Sequence, residues 1–450
     1  MMLRSTGISG LDEILGGFPK PSTILIAGTA GVGKTMFVLD SLSSMAEDES
    51  TLYIPITTRQ ERGGDFADAF PFMHESITLH PIDRISAERD PLSALIDIGN
   101  AVTSSGANRV AIDPITPIGS AFPEQERHRF IGTLDSMAHE WGAITLVTGE
   151  LAASEIHTAV VSHFMDGVLY LSYEESEKHV LRNLKIFKTP NIAGNQVLSN
   201  IFSFNISAGM VQVFPHLKGG AAHPDLSVRV PTGIRELDRM MEGGIPETYS
   251  MLIAGSAGTG KTIFGLQFAN KSLENDKPSV IVSFNESPDQ LMAEAMRLGW
   301  DMQEYIENDM LRFVYPSEQV SSDEHLWQIK DAVESIGSGS VVFDGITDMK
   351  TVFCGSVNAR EYIYSLTRYL KYRNVTSLFT SEIENVFSFG IPDAGTSFLV
   401  DGIISLRYIK KESDLRKLLL ILKMRGTDHD RRIKEYAITN HGIDVMEWSD

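Results

Sequence analysis

The chain of 450 residues contains one segment twice, and this repeat constrains the fold more than any other feature. The segments Thr6–Asp40 and Thr232–Gln267 share a Thr-Gly-Ile opening, a Leu-Asp pair, a Gly-Gly pair and an apolar run ending in Ile-Ala-Gly. Both continue into a glycine-rich loop closed by Gly-Lys-Thr, whose lysines, Lys34 and Lys261, lie 227 positions apart (261 − 34). This spacing is a domain length and too long for a solenoid repeat, so the sequence predicts two copies of one domain.

Later segments keep the same order in both copies. An apolar run that ends in aspartate occurs at Arg109–Asp113 and again at Val341–Asp344. Short β-branched runs alternate with longer helical patterns, which is typical of an α/β fold with a mostly parallel sheet flanked by helices. Periodicity is interrupted at residues 216–228 by Gly-Gly, Ala-Ala and a proline. We therefore expect a first domain at 1–215, a linker at 216–228 and a second domain at 229–450.

The two glycine-rich loops follow the pattern G-x-x-x-x-G-K-[ST] of a phosphate-binding loop. Glycines let successive backbone N–H groups face a phosphate, and the helix that follows offers its positive end. An incidental glycine turn is not expected to recur between an apolar run and a helical pattern in both copies, so we predict ATP binding at both loops. The predicted nucleotide-binding residues are Gly28, Thr29, Ala30, Gly31, Val32, Gly33, Lys34 and Thr35 in the first loop and Gly255, Ser256, Ala257, Gly258, Thr259, Gly260, Lys261 and Thr262 in the second.

Each loop also predicts a site for Mg²⁺. The loop threonines, Thr35 and Thr262, supply the hydroxyl that ligates this ion in the motif. Asp113 and Asp344 end apolar strands, which places their carboxylates at the carboxyl edge of the sheet beside the loops. The alternative for each aspartate is a helix cap or a turn at the strand end. We take these four residues as candidate metal ligands, and ATP and Mg²⁺ as the predicted cofactors.

Composition excludes several classes of protein. The formal net charge is −20, from 59 Asp+Glu against 39 Lys+Arg, and such a surface repels nucleic acid and anionic lipid. The single cysteine, Cys354, cannot form an intrachain disulfide, and no apolar run approaches the roughly 20 residues of a membrane span. The first ten residues lack the apolar core of a signal peptide. We expect a cytoplasmic protein without nucleic-acid or membrane partners.

These motifs resemble the KaiC branch of the RecA/RadA superfamily. The resemblance lies in the opening of each copy, in the strands that end in aspartate and in the ending Lys423-Met-Arg-Gly-Thr-Asp-His429, and it spans nearly the whole chain. Members of the family are tandem RecA-like ATPases that stack as two rings, usually hexameric, with ATP between neighbouring subunits. The resemblance therefore implies two tandem RecA-like P-loop NTPase domains, a homo-hexamer and an unknown protein partner.

The second copy carries most of the catalytic pattern of this family. Family members have two adjacent glutamates after the strand that follows the phosphate-loop helix, and one of them activates the attacking water. The matching pair here is Asn285-Glu286, so the resemblance implies that Glu286 prepares the water. The residues alone leave open that Glu286 caps the helix beginning near Ser287.

Lys423 and Arg425 match family residues that reach the triphosphate bound by the next subunit. Without the resemblance they are a solvated basic strand end. The candidate catalytic residues are thus Lys261, Glu286, Lys423 and Arg425.

The first copy departs from this pattern. At the position of the glutamates it has Ile56-Thr57-Thr58-Arg59, with Glu61 slightly further on. At the position of the trans cations Lys188 is kept, but Pro190 replaces the arginine. Losing a base and a cation should cost several powers of ten in rate while nucleotide binding persists. We expect the first domain to bind ATP and hold the ring, and the second to hydrolyse ATP.

Some family members phosphorylate themselves on adjacent Ser/Thr residues of the second copy. Ser397 matches one of these positions, but Phe398 occupies the other, so a two-step phosphorylation cycle is impaired. Ser397 is a candidate phosphosite for weak autophosphorylation, and the alternative is a loop hydroxyl before the strand at Ile403–Tyr408.

Two other functions stay open beside a signalling or regulatory ATPase. A RadA-like DNA recombination or repair ATPase shares the same core, although the net charge, the duplication and the lack of a small DNA-binding domain before Thr6 disfavour it. A nucleotide-gated interaction module with little turnover fits the degenerate first copy and the missing carboxylate at Asn285.

Overall fold

The chain folds into two compact units, Met1–Pro215 and His216–Asp450. In both units a large, mostly parallel sheet is flanked by helices, which confirms the predicted α/β class. The computed structural model describes residues 2–57, 70–116, 122–175, 180–189, 201–220, 225, 227–316, 320–349, 353, 359–383, 398–411 and 414–447.

The first unit arranges its main sheet in the order β12-β11-β10-β9-β3-β8-β7-β4-β5, and β6 also pairs with β4. In chain order its elements are β1 (Met2–Arg4), α1 (Leu11–Leu15), β2 (Phe18–Lys20), β3 (Ser22–Gly28), α2 (Lys34–Ser43), β4 (Thr51–Thr57), β5 (Thr78–Leu79), β6 (Ile82–Asp83), α3 (Arg84–Arg89), α4 (Pro91–Ser105), β7 (Arg109–Asp113), α5 (Glu124–Glu140), β8 (Ile144–Glu150), α6 (Val160–Phe164), β9 (Gly167–Glu175), β10 (Val180–Lys188), β11 (Ile201–Ser207) and β12 (Met210–Val213).

The second unit arranges its main sheet in the order β17-β16-β18-β19-β15-β20-β21-β22-β23. Its elements are β13 (Arg229–Val230), α7 (Arg235–Met240), β14 (Ile245–Pro246), β15 (Ser250–Gly255), α8 (Lys261–Glu274), β16 (Ser279–Ser283), α9 (Pro288–Arg297), α10 (Gln303–Glu307), β17 (Leu311–Val314), α11 (Ser322–Ile336), β18 (Ser340–Asp344), a 3₁₀ turn (Ile346–Asp348), α12 (Ala359–Tyr372), β19 (Thr376–Glu382), β20 (Gly402–Lys411), β21 (Asp414–Met424), β22 (Lys434–Thr439) and β23 (Gly442–Glu447).

Parallel pairing brings the predicted site residues of each unit to one edge of its sheet. The strand before each phosphate loop is central, with β3 between β8 and β9 and β15 between β19 and β20. The register opposes Gly28 to Glu150 in the first unit and Gly255 to Glu382 in the second. Because β7 and β18 run in the same direction as these strands, their terminal aspartates lie at the same carboxyl edge.

The helix after each loop begins at the loop lysine because the preceding glycine adopts a left-handed conformation. Gly33 has φ 110° and Gly260 has φ 92°, a region that side chains with a Cβ rarely occupy. Space is also lacking, since a Cβ on Gly260 would approach Ile438 Cδ1 to 2.6 Å. A glycine at this position is therefore required by conformation and by packing.

The helix after the loop packs on the sheet through residues of different sizes in the two units. In the second unit a Cβ on Gly265 would lie 2.8 Å from Val342 Cγ1, so the small residue is on the helix and the large one on the strand. The corresponding pair in the first unit is Val38 and Ala111, with the sizes exchanged. Such an exchange keeps the packing dense in both units. Within the described parts of the chain, no helix is long and apolar enough to span a membrane.

Candidate active site

The second phosphate loop connects β15 to α8, and the side chain of its lysine folds back onto the loop backbone. The Nζ of Lys261 donates hydrogen bonds to the carbonyl oxygens of Gly255 (2.9 Å) and Ser256 (3.1 Å). Burial lowers the pKa of Lys261, and the carboxylates of Glu382 and Asp344 oppose that effect. The ammonium group is thus held at the mouth of the loop, where phosphate oxygens can replace the loop carbonyls as its partners.

The candidate metal ligands of the second unit lie together. The hydroxyl of Thr262 donates to Asp344 Oδ2 at 2.9 Å, and the hydroxyl of Thr380 donates to Asp344 Oδ1 at 2.6 Å. Burial raises the pKa of Asp344, and these two hydrogen bonds act in the opposite direction. Oxygen donors of this kind suit Mg²⁺, so the residues present fit the ion that the motif implies.

The first phosphate loop repeats the lysine geometry but not the metal pair. Lys34 Nζ donates to the carbonyls of Gly28 (3.0 Å) and Thr29 (2.8 Å). A cavity of about 470 Å³ opens beside this loop, and Thr35 and Asp113 both line it. No hydrogen bond joins Thr35 to Asp113 among the residues that the structure describes.

Tyr53 accounts for this difference between the loops. Its hydroxyl donates to Asp113 Oδ2 at 2.8 Å, and Thr148 donates to the other carboxylate oxygen. By strand register the position of Tyr53 corresponds to Ile281 in the second unit, which has no hydroxyl. In the first unit a buried tyrosine therefore donates a hydrogen bond to the carboxylate oxygen that, in the second unit, accepts one from the loop threonine.

Glu286 follows the end of β16, and its backbone N–H donates to Ser283 Oγ at 3.1 Å. The helix α9 that comes next is capped by Ser287, not by Glu286. The Ser287 hydroxyl accepts from the N–H of Gln290, and the Gln290 side chain accepts from the N–H of Ser287 at 2.8 Å, which completes a capping box. The Glu286 carboxylate is thus not engaged in capping α9.

The surroundings of Glu286 suit a proton acceptor. Burial raises its pKa, and the carboxylates of Glu294 and Asp344 raise it further. A raised carboxylate pKa brings a base closer to the pH at which it must work. Beside it, the Asn285 amide donates to Asp348 Oδ2 at 2.6 Å, so a neutral donor stands at the position that matches the first of the two family glutamates.

Lys423 and Arg425 lie at the opposite edge of the sheet from the phosphate loop of their own unit. Lys423 Nζ donates to the Val400 carbonyl at 2.8 Å, and an Arg425 nitrogen donates to the Phe398 carbonyl at 2.8 Å. Both carbonyls precede β20, whose first residues pair with the beginning of β15. The phosphate loop follows the end of β15, about 17 Å away for six strand residues. These two cations therefore cannot contact a phosphate held by their own loop.

Some of the polar contacts at this edge of the sheet, opposite the phosphate loop, recur in the first unit. Lys188 Nζ donates to the Met165 carbonyl, as Lys423 does to that of Val400. Where the second unit pairs Lys371 with Asp401 at 2.8 Å, the first pairs His139 with Asp166 at 3.1 Å.

Several residues discussed from the sequence lie outside the described part of the chain, namely Thr58, Arg59, Glu61, Pro190 and Ser397.

Two carboxylates that lie next to the loops were not predicted as site residues from the sequence. Glu150 and Glu382 end β8 and β19, directly beside the last residue of the strand that leads into each loop. Both follow a threonine by two positions, in Thr-Gly-Glu and Thr-Ser-Glu, and both threonines bond to the site aspartate. This recurrence of Thr-x-Glu in the two copies is the signal that could have identified them.

Comparison with known proteins assigns both halves of the chain to the same family. A family model described as the ATPase KaiC matches residues 4–218 and 230–450. The circadian clock oscillator protein KaiC of Prochlorococcus marinus is 28% identical, over 98% of this chain and 92% of that protein. The circadian clock protein KaiC3 of Synechocystis sp. is 28% identical over 98% and 91% of the two chains. The KaiC of Synechococcus elongatus is 27% identical over 98% of this chain and 88% of its own length.

Proposed function

Since this chain belongs to the KaiC family of ATPases and is an ATP hydrolase, we propose that it binds ATP in both units and hydrolyses it mainly in the second. The observation that carries the proposal is the contrast between the two site aspartates. Asp344 is joined to the loop threonine Thr262, beside Glu286, whereas Asp113 is joined to Tyr53. The second unit thus has a ligand pair and a candidate base, and the described part of the first unit has neither arrangement.

In the second unit each side chain has a distinct role. Lys261 and the backbone N–H groups of the loop hold the triphosphate. Mg²⁺, held by Thr262 and Asp344, would neutralise charge on the phosphates. Glu286 accepts a proton from the attacking water and orients it.

Lys423 and Arg425 act on the nucleotide of a neighbouring chain. They lie too far from their own loop, so their charge is useful for catalysis only across an interface between two copies. A closed homo-hexamer would give every second-unit site such a neighbour. We propose a cytoplasmic ring of this kind, with a regulatory or signalling role and an unidentified protein partner, and without nucleic-acid or membrane partners.

Separate substitution of the two loop lysines tests the division of labour. Lys261→Ala should lower phosphate release from Mg-ATP by more than about 100-fold, because a charge-stabilising donor is lost. Lys34→Ala should weaken nucleotide binding in the first unit and lower turnover far less. Mass by light scattering in the same samples, compared with six chains of 49.7 kDa for the unchanged ring, shows which variants remain assembled, and turnover is compared only between assembled rings. Loss of turnover in an intact Lys34→Ala ring, with turnover kept in Lys261→Ala, would reverse the assignment.

Mixing two inactive variants tests whether the cations act in trans. Lys261→Ala and Arg425→Ala should each be nearly inactive alone. In an equimolar mixed ring about a quarter of the interfaces would combine an intact Lys261 with an intact Arg425 from the neighbour, so about a quarter of the activity should return. Recovery absent from rings that demonstrably contain both variants would mean that Arg425 does not act across the interface.

Weak autophosphorylation at Ser397 is the finer part of this proposal. Incubation with Mg-ATP followed by a phosphopeptide search should find phosphate on Ser397, and Ser397→Ala should remove it. If neither Ser397 nor Thr396 is modified, the kinase component is discarded and the ATPase remains.

A nucleotide-gated interaction module is the second candidate function. The observation that favours it is the neutral Asn285, hydrogen-bonded to Asp348 where the family pattern has a carboxylate. Tight nucleotide binding with turnover far below one per minute would favour this module, and turnover stimulated by DNA would favour a recombination or repair ATPase.

A further inference from the structure

The second phosphate loop is held from outside by two tyrosine hydroxyls. Tyr408, on β20, donates to the carbonyl of Gly258 at 2.6 Å. Tyr436, on β22, donates to the carbonyl of Thr259 at 2.7 Å. Within the loop, the Thr259 hydroxyl donates to the Ser256 carbonyl at 2.7 Å. Three carbonyl groups of the loop backbone, those of Ser256, Gly258 and Thr259, thus accept hydrogen bonds from hydroxyl groups.

The first phosphate loop has none of these three hydrogen bonds. Strand register places Phe204 at the position of Tyr436 and Tyr173 at that of Tyr408. Phenylalanine has no hydroxyl, and Tyr173 is 38% exposed and makes no hydrogen bond to this loop within the described residues. Val32 replaces Thr259, and a Cβ on Gly31 would meet nothing within 4 Å. Among the described residues, the apex of the first loop lacks the anchoring contacts that the second loop has.

Anchoring a carbonyl also orients the next N–H group. The peptide unit is planar and trans, so the N–H of each unit points away from its own carbonyl. Tyr436 holds the Thr259 carbonyl and thereby fixes the direction of the Gly260 N–H. Tyr408 holds the peptide unit between Gly258 and Thr259, whose N–H donates within the loop to the Ser256 carbonyl at 3.3 Å, and thereby supports the turn that precedes Gly260. Phosphate binding by such a loop depends on successive N–H groups that converge on the anion.

Tyr436 is rigidly placed for this task. Its side chain is 2% exposed and its ring packs edge-on against Phe264 of α8, with ring centroids 5.7 Å apart. Burial and the nearby Tyr408 raise the pKa of Tyr436, so its hydroxyl keeps its proton and serves only as a donor to the carbonyl. A buried donor with one partner fixes that partner more firmly than an exposed one.

We propose that Tyr408 and Tyr436 are positioning residues that hold the second phosphate loop ready for a nucleoside triphosphate, and that the lack of their two hydrogen bonds at the first loop weakens nucleotide retention there. The inference rests on the proposed function, because it explains why the second unit is the efficient one. Its readouts are loop exchange and nucleotide affinity, which do not require turnover.

The first test removes single hydroxyls from the full chain. Tyr436→Phe, in a Lys34→Ala background that reports only the second loop, should weaken binding of a fluorescent non-hydrolysable ATP analogue with Mg²⁺ about five- to tenfold. Amide hydrogen exchange over residues 255–262 should be faster in the nucleotide-free protein, with exchange elsewhere unchanged. Phenylalanine fits this position in the first unit, and Tyr408→Phe provides a less buried second variant should Tyr436→Phe fail to fold.

The reciprocal change should tighten the first loop. Phe204→Tyr, in a Lys261→Ala background, should strengthen binding of the same analogue and slow exchange over residues 28–35. Tyr173→Phe is the matched control and should change neither quantity. With hydrolysis measured in the otherwise unchanged chain, Tyr436→Phe should raise KM and leave kcat within about twofold, as expected when binding to ground and transition states is lost equally.

Unchanged loop exchange and unchanged affinity in both Tyr436→Phe and Tyr408→Phe would overturn this inference while leaving the proposed function intact. A uniform increase of exchange throughout the second unit would also overturn it, since the hydroxyls would then stabilise the fold and not the loop. If Lys261→Ala retains turnover, the proposed function fails by itself, whatever the tyrosine variants show.

Discussion

The two units of this chain share hydrogen bonds at the amino edge of their sheets and differ at the carboxyl edge. Asp166 accepts the N–H of Thr23 at 2.9 Å, and Asp401 accepts that of Ser250 at 3.0 Å. A side chain on the helix after each loop likewise accepts a hydrogen bond from a backbone N–H of the last strand of the sheet. Asp40 accepts from Val211 and Gln267 accepts from Ile443, both at 2.8 Å. The bonds that hold the scaffold are thus retained even where the side chains differ.

At the phosphate loops the same comparison shows different partners. Thr262, Tyr408 and Tyr436 make contacts in the second unit that Thr35, Tyr173 and Phe204 do not make in the described parts of the first. Tyr53, which stands where the second unit has Ile281, donates to the site aspartate at the carboxylate oxygen that the loop threonine contacts in the second unit. A duplicated fold can thus keep its backbone while a few side chains change the hydrogen bonds around its phosphate loop.

The largest loss of activity in the second unit is expected from removal of the candidate base. Glu286→Gln keeps the size of the side chain but cannot accept a proton, so phosphate release should fall about 100-fold or more. Nucleotide affinity should stay within about threefold, because the loop contacts persist. The control is Asp289→Asn, a change to an exposed carboxylate in the first turn of the same helix, which should leave turnover unchanged.

A Glu286→Gln variant with undiminished turnover would show that another carboxylate supplies the base. Glu382 would then be the first alternative, because it ends the strand beside the phosphate loop.

Features carried by contiguous motifs were predictable from the sequence. The family, the α/β class and the order of elements are confirmed, because each depends on local patterns that recur in both copies. The capping of α9 was left open in the sequence, since Glu286 and Ser287 are adjacent and both residue types favour helix starts. The capping box between Ser287 and Gln290 resolves it.

Contacts formed by distant strands were not predictable. Tyr408 lies 150 residues from the Gly258 carbonyl it contacts, and Tyr436 lies 177 residues from that of Thr259. No local periodicity encodes such a pairing, which depends on the register of β20 and β22 against the rest of the sheet. The same holds for Tyr53 and Asp113, 60 residues apart. The roles of the site residues stay predictions until the substitutions are measured.

The second unit should be more sensitive to acid than the first. His325 is fully buried, its Nδ1 hydrogen-bonds the Tyr362 hydroxyl at 2.7 Å, and burial lowers its pKa to about 3. The unfolded state binds a proton near pH 6.5, so stability is lost as pH falls from about 6.5 towards 3, by about 1.4 kcal/mol per pH unit. The first unit has Ala94 at this position by helix alignment, so this position contributes no such slope there.

Hydrogen exchange of core peptides in each unit at pH 7 and pH 5, corrected for intrinsic rates, measures this difference. His325→Gln keeps a polar partner for Tyr362 but does not titrate, and should flatten the pH dependence of the second unit. Equal acid sensitivity of the two units, unchanged in His325→Gln, would contradict the prediction.

A smaller effect is expected from releasing the aspartate of the first unit. Tyr53→Phe removes the hydroxyl that donates to Asp113 and keeps the ring in the core. The carboxylate would then have an oxygen available to a Mg²⁺-bound water, so Mg²⁺-dependent ATP binding in the first unit should tighten about threefold. Measured in a Lys261→Ala background, weaker binding in Tyr53→Phe would mean that the tyrosine supports the metal site instead of competing with it.

The subtlest expected change is a displacement of the pH profile of hydrolysis. Burial and the Glu294 carboxylate raise the pKa of Glu286, and a base must be deprotonated to act, so turnover should fall as pH drops through that raised pKa. Glu294→Gln removes a neighbouring negative charge, which lowers the pKa of Glu286 and moves the acid limb of the profile to lower pH, with the plateau above it unchanged. Asp289→Asn, on the same helix but absent from the groups that act on Glu286, should leave the limb in place. If the acid limb does not move in Glu294→Gln, or moves equally in Asp289→Asn, the limb does not report the titration of Glu286. The assignment of Glu286 as the base would then be wrong.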